Sequence, residues 1–419
     1  MGIFLKSTPA AWRMRNEPQE YEKLKKMNKF VIFLLAIFCI TEAEAQVHIE
    51  NGWTGTWAAA PQPVVKNFMP FNNDLTHRSV RQVVRVSIGG NLVRLKLSNK
   101  YSFEPVVISS VYIAPTTEEY RISPKLAKYF SFDRHRGVFI RPGSEVYSDA
   151  LHFKIEPLQR LSITINYAKA PNEPTVHMGS RTTSYIVHGS SNPFTTFWHA
   201  FREDHWFNIS ALEVYTREPS AVAILGNSIT DGKNSTTNKQ NRWPDIMANY
   251  LPGVGVLNLG IGANCVLSTF IGTPGKERFA HDILGQRGLK AIIIFEGTND
   301  LGRCRDGMAM ARKLVEAYRE FIKLSHMRHI KILGATIMPV KGCIYFTPSH
   351  ERGRQWLNQW IRKSGEFDGV IDFDELMHDP KDPLRLRPEW QSDWLHPNAE
   401  GYQIMGEYAA KKMNELFRR

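Results

Sequence analysis

With 42% hydrophobic and 11% aromatic residues, the 419-residue chain has enough apolar side chain to bury the cores of two domains, which excludes a disordered, collagenous or coiled-coil protein. Its 53 Lys and Arg against 41 Asp and Glu give a net charge of +12. The basic residues are scattered among acidic ones and form no block that tracks a phosphate backbone, so nucleic acid is not an expected partner, whereas an anionic polysaccharide suits the charge.

Lys29 is followed by eleven apolar residues, Phe30 to Ile40, and then by small residues at alternate positions, Ala43 and Ala45. A charged flank, a short apolar stretch and an A-x-A-like site predict a secretory signal peptide cleaved after Ala45. The apolar stretch is well short of the roughly 20 residues that span a bilayer, so no stable membrane span is expected. Residues 1–45 read as a leader in which translation starts at Met27, and the mature protein is expected to be secreted or periplasmic. Cleavage leaves Cys265, Cys304 and Cys343, and an oxidising compartment predicts a disulfide between Cys265 and one of the other two. No C-x-x-C or clustered His/Cys spacing occurs, so no metal is expected.

Residues 46–217 repeat mostly with period two. Val84, Val86 and Ile88 alternate with Arg85 and Ser87, then Val93, Leu95 and Leu97 with Arg94 and Lys96. Gly89-Gly90-Asn91 between them predicts a hairpin. Leu161, Ile163, Ile165 and Tyr167 continue the alternation, which predicts an all-β, jelly-roll-like sandwich. From residue 218 to 419 the pattern changes to short apolar runs, near Ala221–Leu225, Val254–Leu259, Ala291–Phe295, Ile330–Ile337 and Val370–Phe373, separated by helical segments of which Met308–Leu324, Glu351–Lys363 and Glu400–Phe417 are the clearest. That order predicts an α/β domain on a parallel five-stranded sheet.

Ligands of an open parallel sheet bind beyond the carboxyl ends of its strands. The first strand is followed by Gly226-Asn227-Ser228-Ile229-Thr230-Asp231-Gly232, the second ends in Asn258-Leu259-Gly260-Ile261-Gly262-Ala263-Asn264, the third in Glu296-Gly297-Thr298-Asn299-Asp300, and the segment after the fifth holds Asp393-Trp394-Leu395-His396-Pro397. A serine, glycine-rich turns with free N–H groups, an amide and an Asp/His pair are the parts of acyl transfer: Ser228 as nucleophile, His396 as the base that takes its proton, Asp393 as the carboxylate that orients the imidazole. Thr230 stands where a nucleophile elbow needs glycine, and neither a phosphate-binding loop nor a dinucleotide fingerprint occurs, so no cofactor is expected.

These four blocks, in this order over the last 200 residues, resemble the SGNH (GDSL-like) hydrolases. The earlier half, including Arg81-Gln82-Val83-Val84 and Ser180 to Gly189, is similar to the domain that precedes this hydrolase in a secreted subfamily. The resemblance implies a flavodoxin-like three-layer fold, catalysis by Ser228, His396 and Asp393, and an oxyanion hole made of the Ser228 and Ala263 backbone N–H groups and the Asn299 amide. Asn264 and Asp300, next to these donors, are candidate substrate contacts. Two positions depart from the family pattern, Asn227 for its Asp and Ala263 for its Gly.

The expected function is an exported serine esterase that removes small O-acyl groups, acetyl above all, from carbohydrate. Trp53, Trp57, Trp198 and Trp206 are candidate sugar platforms on the β-rich half. The alternatives are a lipase or lysophospholipase and, in another class, a non-catalytic glycan-binding protein.

Overall fold

The computed structural model describes residues 52–65, 69 and 74–418. The leader, its cleavage site and Met27 lie outside the described residues. Residues 52–419 make one compact unit, and among the described residues no helix is long and apolar enough to cross a membrane.

The first half is antiparallel. The strands that matter below are β1 (Trp53–Ala58), β2 (Arg78–Arg85), β3 (Gly90–Ser98), β4 (Val106–Glu118), β5 (Leu151–Ile155), β6 (Arg160–Lys169), β7 (Ser184–His188), β8 (Phe201–Glu203) and β9 (Ile209–Tyr215). One sheet runs β1-β9-β3-β5 and the other β8-β7-β2-β6-β4, with short strands added at their margins. Their facing apolar rows, such as Val80 and Val84 against Leu95 and Leu97, close one core, as a period of two requires when a sheet buries one face.

The expected hairpin at Gly89-Gly90-Asn91 is absent, because β2 and β3 lie in different sheets and the chain crosses between them. The glycines answer to packing instead. A Cβ on Gly89 would lie 2.6 Å from the Ile155 carbonyl oxygen, and one on Gly90 2.2 Å from Val214 Cγ2. Both strands face the same core, so alternation alone could not tell a hairpin from a crossover.

The second half is the parallel sheet: β10 (Ala221–Gly226), β11 (Gly255–Gly260), β12 (Leu289–Phe295), β13 (Lys331–Ala335) and β14 (Gly369–Ile371). Their order, β11-β10-β12-β13-β14, is that of a flavodoxin-like fold. Both faces are covered. Ala223, Leu225, Ile292 and Ile294 pack with Leu314, Phe321 and Leu357 on one side, while Val222, Ile224 and Ile293 pack with Met247, Tyr402 and Met405 on the other. The covering helices begin where side chains cap them. Asp306 Oδ1 accepts from the N–H groups of Met308 and Ala309 at the head of Gly307–His326, Thr347 caps Pro348–Lys363, and Asn398 caps Ala399–Phe417.

The two halves share a core. Ala58, Ala60 and Ala211 from the antiparallel half pack in the same cluster as Leu257 and Leu259 of the edge strand β11. Small residues are needed here, since a Cβ on Gly255 would lie 2.0 Å from the Gly55 carbonyl oxygen. Gly255→Ala should therefore lower the unfolding free energy by about 1–3 kcal/mol, the usual cost of forcing a methyl group into filled space. Urea denaturation measures it, and an unchanged midpoint would mean that the two halves can part without cost.

Candidate active site

All six residues of β10 are buried, and the chain leaves it through Asn227 into a single helical turn, Ser228–Asp231, closed by Gly232 at φ +94. Asn227 Oδ1 accepts from the Ile229 N–H, so the turn starts with its serine at the first helical position. The N–H groups of a first turn have no partner within the helix. Glycine is obligatory beside it: a Cβ on Gly226 would lie 2.1 Å from Thr230 Oγ1, and one on Gly260, at the end of β11, 2.4 Å from the Asp231 nitrogen.

Ser228 Oγ lies 2.8 Å from His396 Nε2, and His396 Nδ1 lies 2.8 Å from Asp393 Oδ2. A carboxylate can only accept, so Nδ1 carries the proton and Nε2 is left to accept from the serine hydroxyl. The D-x-x-H spacing works through a backbone loop: Asp393 Oδ1 accepts from the N–H groups of Leu395 at 3.1 Å and His396 at 2.7 Å. Asn234 Nδ2 donates to Asp393 Oδ2 at 3.3 Å. Burial acts first on His396 and lowers its pKa, the Asp393 carboxylate offsets part of this, and the charges of Lys233 and Arg181 add to the lowering. The ring therefore stays a neutral base at neutral pH. Burial alone would raise the Asp393 pKa, but the hydrogen bonds from the His396 ring and backbone hold it below the usual range.

The second-strand loop brings Ala263 into the left-handed region at φ +57, where an L residue is strained and glycine is not. Asn299 is the second residue of the helix Thr298–Arg303. Its Nδ2 donates to the Asn264 carbonyl at 2.8 Å, which draws the amide to the loop of Ala263. Tyr345 Oη donates to Asn299 Oδ1 at 3.0 Å, which decides which way the amide faces.

Asn264 and Asp300, the candidate substrate contacts, have their polar groups engaged within the protein. Asn264 is fully buried, donates to the carbonyls of Ile271 and Thr273, and accepts from Arg278 Nε at 2.9 Å. Asp300 is buried with its carboxylate taken up by the N–H groups of Val266 at 2.9 Å and Leu267 at 3.0 Å. Both hold the loop that carries Ala263. The expected disulfide is also absent, since Cys265, Cys304 and Cys343 are all free. Burial pushes the Cys265 thiol up to about 12, and Cys304 Sγ donates to the Leu301 carbonyl of its own helix at 3.2 Å.

Two residues escaped the sequence reading. Arg278, buried, donates through Nη1 to the Leu259 carbonyl at 2.8 Å and through Nη2 to the Gly226 carbonyl at 3.2 Å, joining the ends of β11 and β10. Tyr345 lies in a loop with no periodic signal. Neither could be found locally, because the hydrogen-bond partners of Arg278 lie 14 to 52 residues away in sequence and that of Tyr345 lies 46 away.

The antiparallel half reaches the serine's helix through Asp231, which is buried against His177 Nε2 at 3.0 Å and Arg181 Nη2 at 3.2 Å. Burial alone would raise its pKa, but the charges of His177 and Arg181 hold the carboxyl below the usual range. A cavity of 410 Å³ opens beside this junction, lined by Gln62, Arg181 and Asp204 from one half and Lys233, Gly262 and Ile271 from the other. Of the four candidate platforms, Trp53, Trp57 and Trp206 are buried and Trp198 is exposed.

The Asn227 departure has a physical counterpart. Asn227 Nδ2 donates to Glu296 Oε2 at 3.0 Å, where an Asp would set two carboxyl groups against each other out of water. Burial pushes the Glu296 pKa up to about 8, with the Arg278 charge opposing. Raised from an ordinary 4.5, such a carboxyl binds more proton folded than unfolded, so the stability it allows is full below pH 4.5 and falls as pH rises to about 8. Glu296→Gln should flatten the decline of Tm between these limits. Differential scanning calorimetry from pH 4.5 to pH 8 tests this, and parallel curves for the two proteins would refute it.

Residues 224–404 match the GDSL-like lipase/acylhydrolase family. Solved structures similar to this chain include a GDSL-like lipase from Bacteroides thetaiotaomicron, at 18% identity over 48% of this chain and 90% of that one with a TM-score of 0.35. A member of the lipolytic G-D-S-L family from Veillonella parvula matches at 18% identity over 46% of this chain and 98% of its own, TM-score 0.36. The psychrotrophic esterase EstA from a Pseudoalteromonas species matches at 14% identity over 48% and 100%, TM-score 0.37. No curated protein matches.

Proposed function

Residues 224–404 belong to the GDSL-like lipase/acylhydrolase family, and from that premise we propose that the protein is an exported serine esterase that removes small O-acyl groups, acetyl above all, from carbohydrate. The observation that carries the reading is the chain of contacts from Ser228 Oγ to His396 Nε2 and from His396 Nδ1 to Asp393 Oδ2, each 2.8 Å. In the proposed mechanism Ser228 Oγ attacks the ester carbonyl while His396 Nε2 takes the hydroxyl proton. Negative charge builds on the carbonyl oxygen, where the N–H groups of Ser228 and Ala263 and the free hydrogen of Asn299 Nδ2 receive it. The intermediate collapses as His396 returns the proton to the departing alcohol, leaving an acyl-serine. Water, deprotonated by the same imidazole, then releases the acid and restores the serine.

Carbohydrate as acyl acceptor is supported by the lining of the 410 Å³ cavity, where Arg181, Asp204 and Lys233 supply hydrogen-bonding groups of both kinds. A second reading, hydrolysis of longer acyl chains, is favoured by one feature: Ile344, beside Tyr345, is 93% exposed, and Phe270, under the Arg303 guanidinium, is half exposed.

Ser228→Ala should reduce ester hydrolysis by about 10⁴-fold or more. Asn299→Ala should lower kcat by about 10²- to 10³-fold with KM little changed, since its amide acts on charge present only in the transition state. Tyr345→Phe should lower kcat in the same manner but by only about 3- to 10-fold, the worth of one hydrogen bond near 1 kcal/mol. Steady-state kinetics on p-nitrophenyl acetate reads all three. A raised KM with unchanged kcat in the Asn299 variant would make it a substrate-binding residue instead.

Acyl preference is read by p-nitrophenyl esters of increasing length. Activity should fall steeply from acetate to octanoate, and a rise towards octanoate would replace the carbohydrate reading by the lipase one.

A further inference from the structure

The loop between β7 and β8, residues 189–200, lies over the outer face of the sheet that contains β2 and β6. It is anchored by Phe197, buried with its ring 3.9 Å from the Arg81 guanidinium carbon. Arg81 is itself buried and donates to Tyr112 Oη, to Thr164 Oγ1 and to the Tyr120 carbonyl. The turn is shaped by Asn192, whose Oδ1 accepts from the Phe194 N–H at 2.9 Å, and by Thr196, whose Oγ1 accepts from the Trp198 N–H at 3.3 Å. Phe194 and Trp198, by contrast, are 72% and 61% exposed. Packing gives little return for two large aromatic rings in water on an ordered loop, so a ligand is the more economical reason for them.

Trp198 forms a ridge with Tyr120, ring centroids 6.3 Å apart at an interplanar angle of 79°. A hollow lies on each side. One, of 510 Å³, is lined by Thr117, Tyr120, Arg121, Phe194, Thr195 and Trp198 among others. The second, of 280 Å³, is lined by Glu118, Glu119, Tyr120, Arg121, Trp198 and Arg202. At the exposed rim Arg121 pairs with Glu118 at 2.7 Å and Arg202 with Glu119 at 3.5 Å. A flat π face ringed by hydroxyls, guanidinium groups and carboxylates matches a pyranose, whose C–H face lies on the ring while its hydroxyl groups meet donors and acceptors. An apolar peptide or an acyl chain would cover that rim and leave its charges unsolvated.

The chain leads from the ridge to the cavity beside Asp231. From Trp198 the chain runs through β8 to Asp204, which lines the 410 Å³ cavity with Arg181 and Lys233. Six residues of chain span at most about 22 Å. We propose that the Trp198 ridge is a carbohydrate-binding subsite that holds a polysaccharide at a distance from the bond being cleaved. The proposal rests on the reading of the substrate as an acylated carbohydrate.

The test uses the full chain and two readouts. In native gels containing acetylated xylan, acetylated glucomannan, acetylated pectin or partly acetylated chitosan, the wild-type protein should be retarded by at least one polymer. Trp198→Ala should lose that retardation, and Trp198→Phe should keep part of it. On p-nitrophenyl acetate, Trp198→Ala should stay within about twofold of wild type, while its KM for deacetylation of the retarding polymer rises about tenfold. Equal retardation of wild type and Trp198→Ala, or retardation of wild type by none of the four, overturns the subsite. Hydrolysis by the wild type separates this from failure of the esterase reading: retardation that depends on Trp198 in a wild-type protein with no ester hydrolysis upholds the subsite and ends the esterase, and hydrolysis without retardation does the reverse.

Discussion

A single buried guanidinium underlies the geometry of the candidate site. Arg278 donates to the last carbonyls of two adjacent parallel strands, at Gly226 and Leu259, and to the side chain of Asn264. Ser228 follows the first of these strands and Ala263 the second, so the relative position of the proposed nucleophile and the proposed oxyanion donor is set by hydrogen bonds from one side chain. Removing a charged partner from a dry site leaves carbonyls and carboxyls unpaired, at a cost of several kcal/mol. Asn299 is fastened to the same loop through the Asn264 carbonyl, and Asp300 through the nitrogens of Val266 and Leu267. The third strand is thereby tied to the second.

The antiparallel half bears on the same helical turn. Asp231, three residues after the serine, is held by His177 and Arg181, and Gly179 allows the approach, since a Cβ there would lie 1.9 Å from Asp231 Oδ2. This half therefore supports the turn that carries Ser228 while its other side chains line the neighbouring cavity. Such a division suits an esterase whose acceptor is larger than its acyl group. On the proposed reading the short turn carries the serine, and a different set of loops supplies the wall that faces the sugar.

Much of this was legible in the sequence for a simple reason. Strands buried on both faces must be continuous apolar runs, and the five runs from Ala221 to Phe373 correspond to the five parallel strands within a few residues. The helices followed from their 3.6 period, and Asp306, Thr347 and Asn398 explain their true starts. Because ligands of open parallel sheets bind at strand ends, the sequence itself pointed to Ser228, Ala263 and Asn299. The crossover after β2 was not legible, since close packing and a turn both ask for glycine. The part Asn264 and Asp300 play in holding their loop was not legible, because proximity in sequence does not distinguish a residue that faces a cleft from one that supports the loop behind it. Arg278 and Tyr345 show the complementary failure: their roles depend on partners remote in sequence, for which a single chain carries no local sign.

The central claim is that Ser228 forms a covalent acyl intermediate. A p-nitrophenyl phosphonate ester, which transfers its phosphonyl group to an activated serine with release of nitrophenolate, tests it most directly when the labelled protein is digested and mapped by mass spectrometry. The account predicts stoichiometric loss of activity with one phosphonyl adduct, carried by the peptide that contains Ser228, and much slower labelling when His396 is replaced by Ala. Full inactivation with the adduct on another residue, or no adduct on an active enzyme, would contradict it.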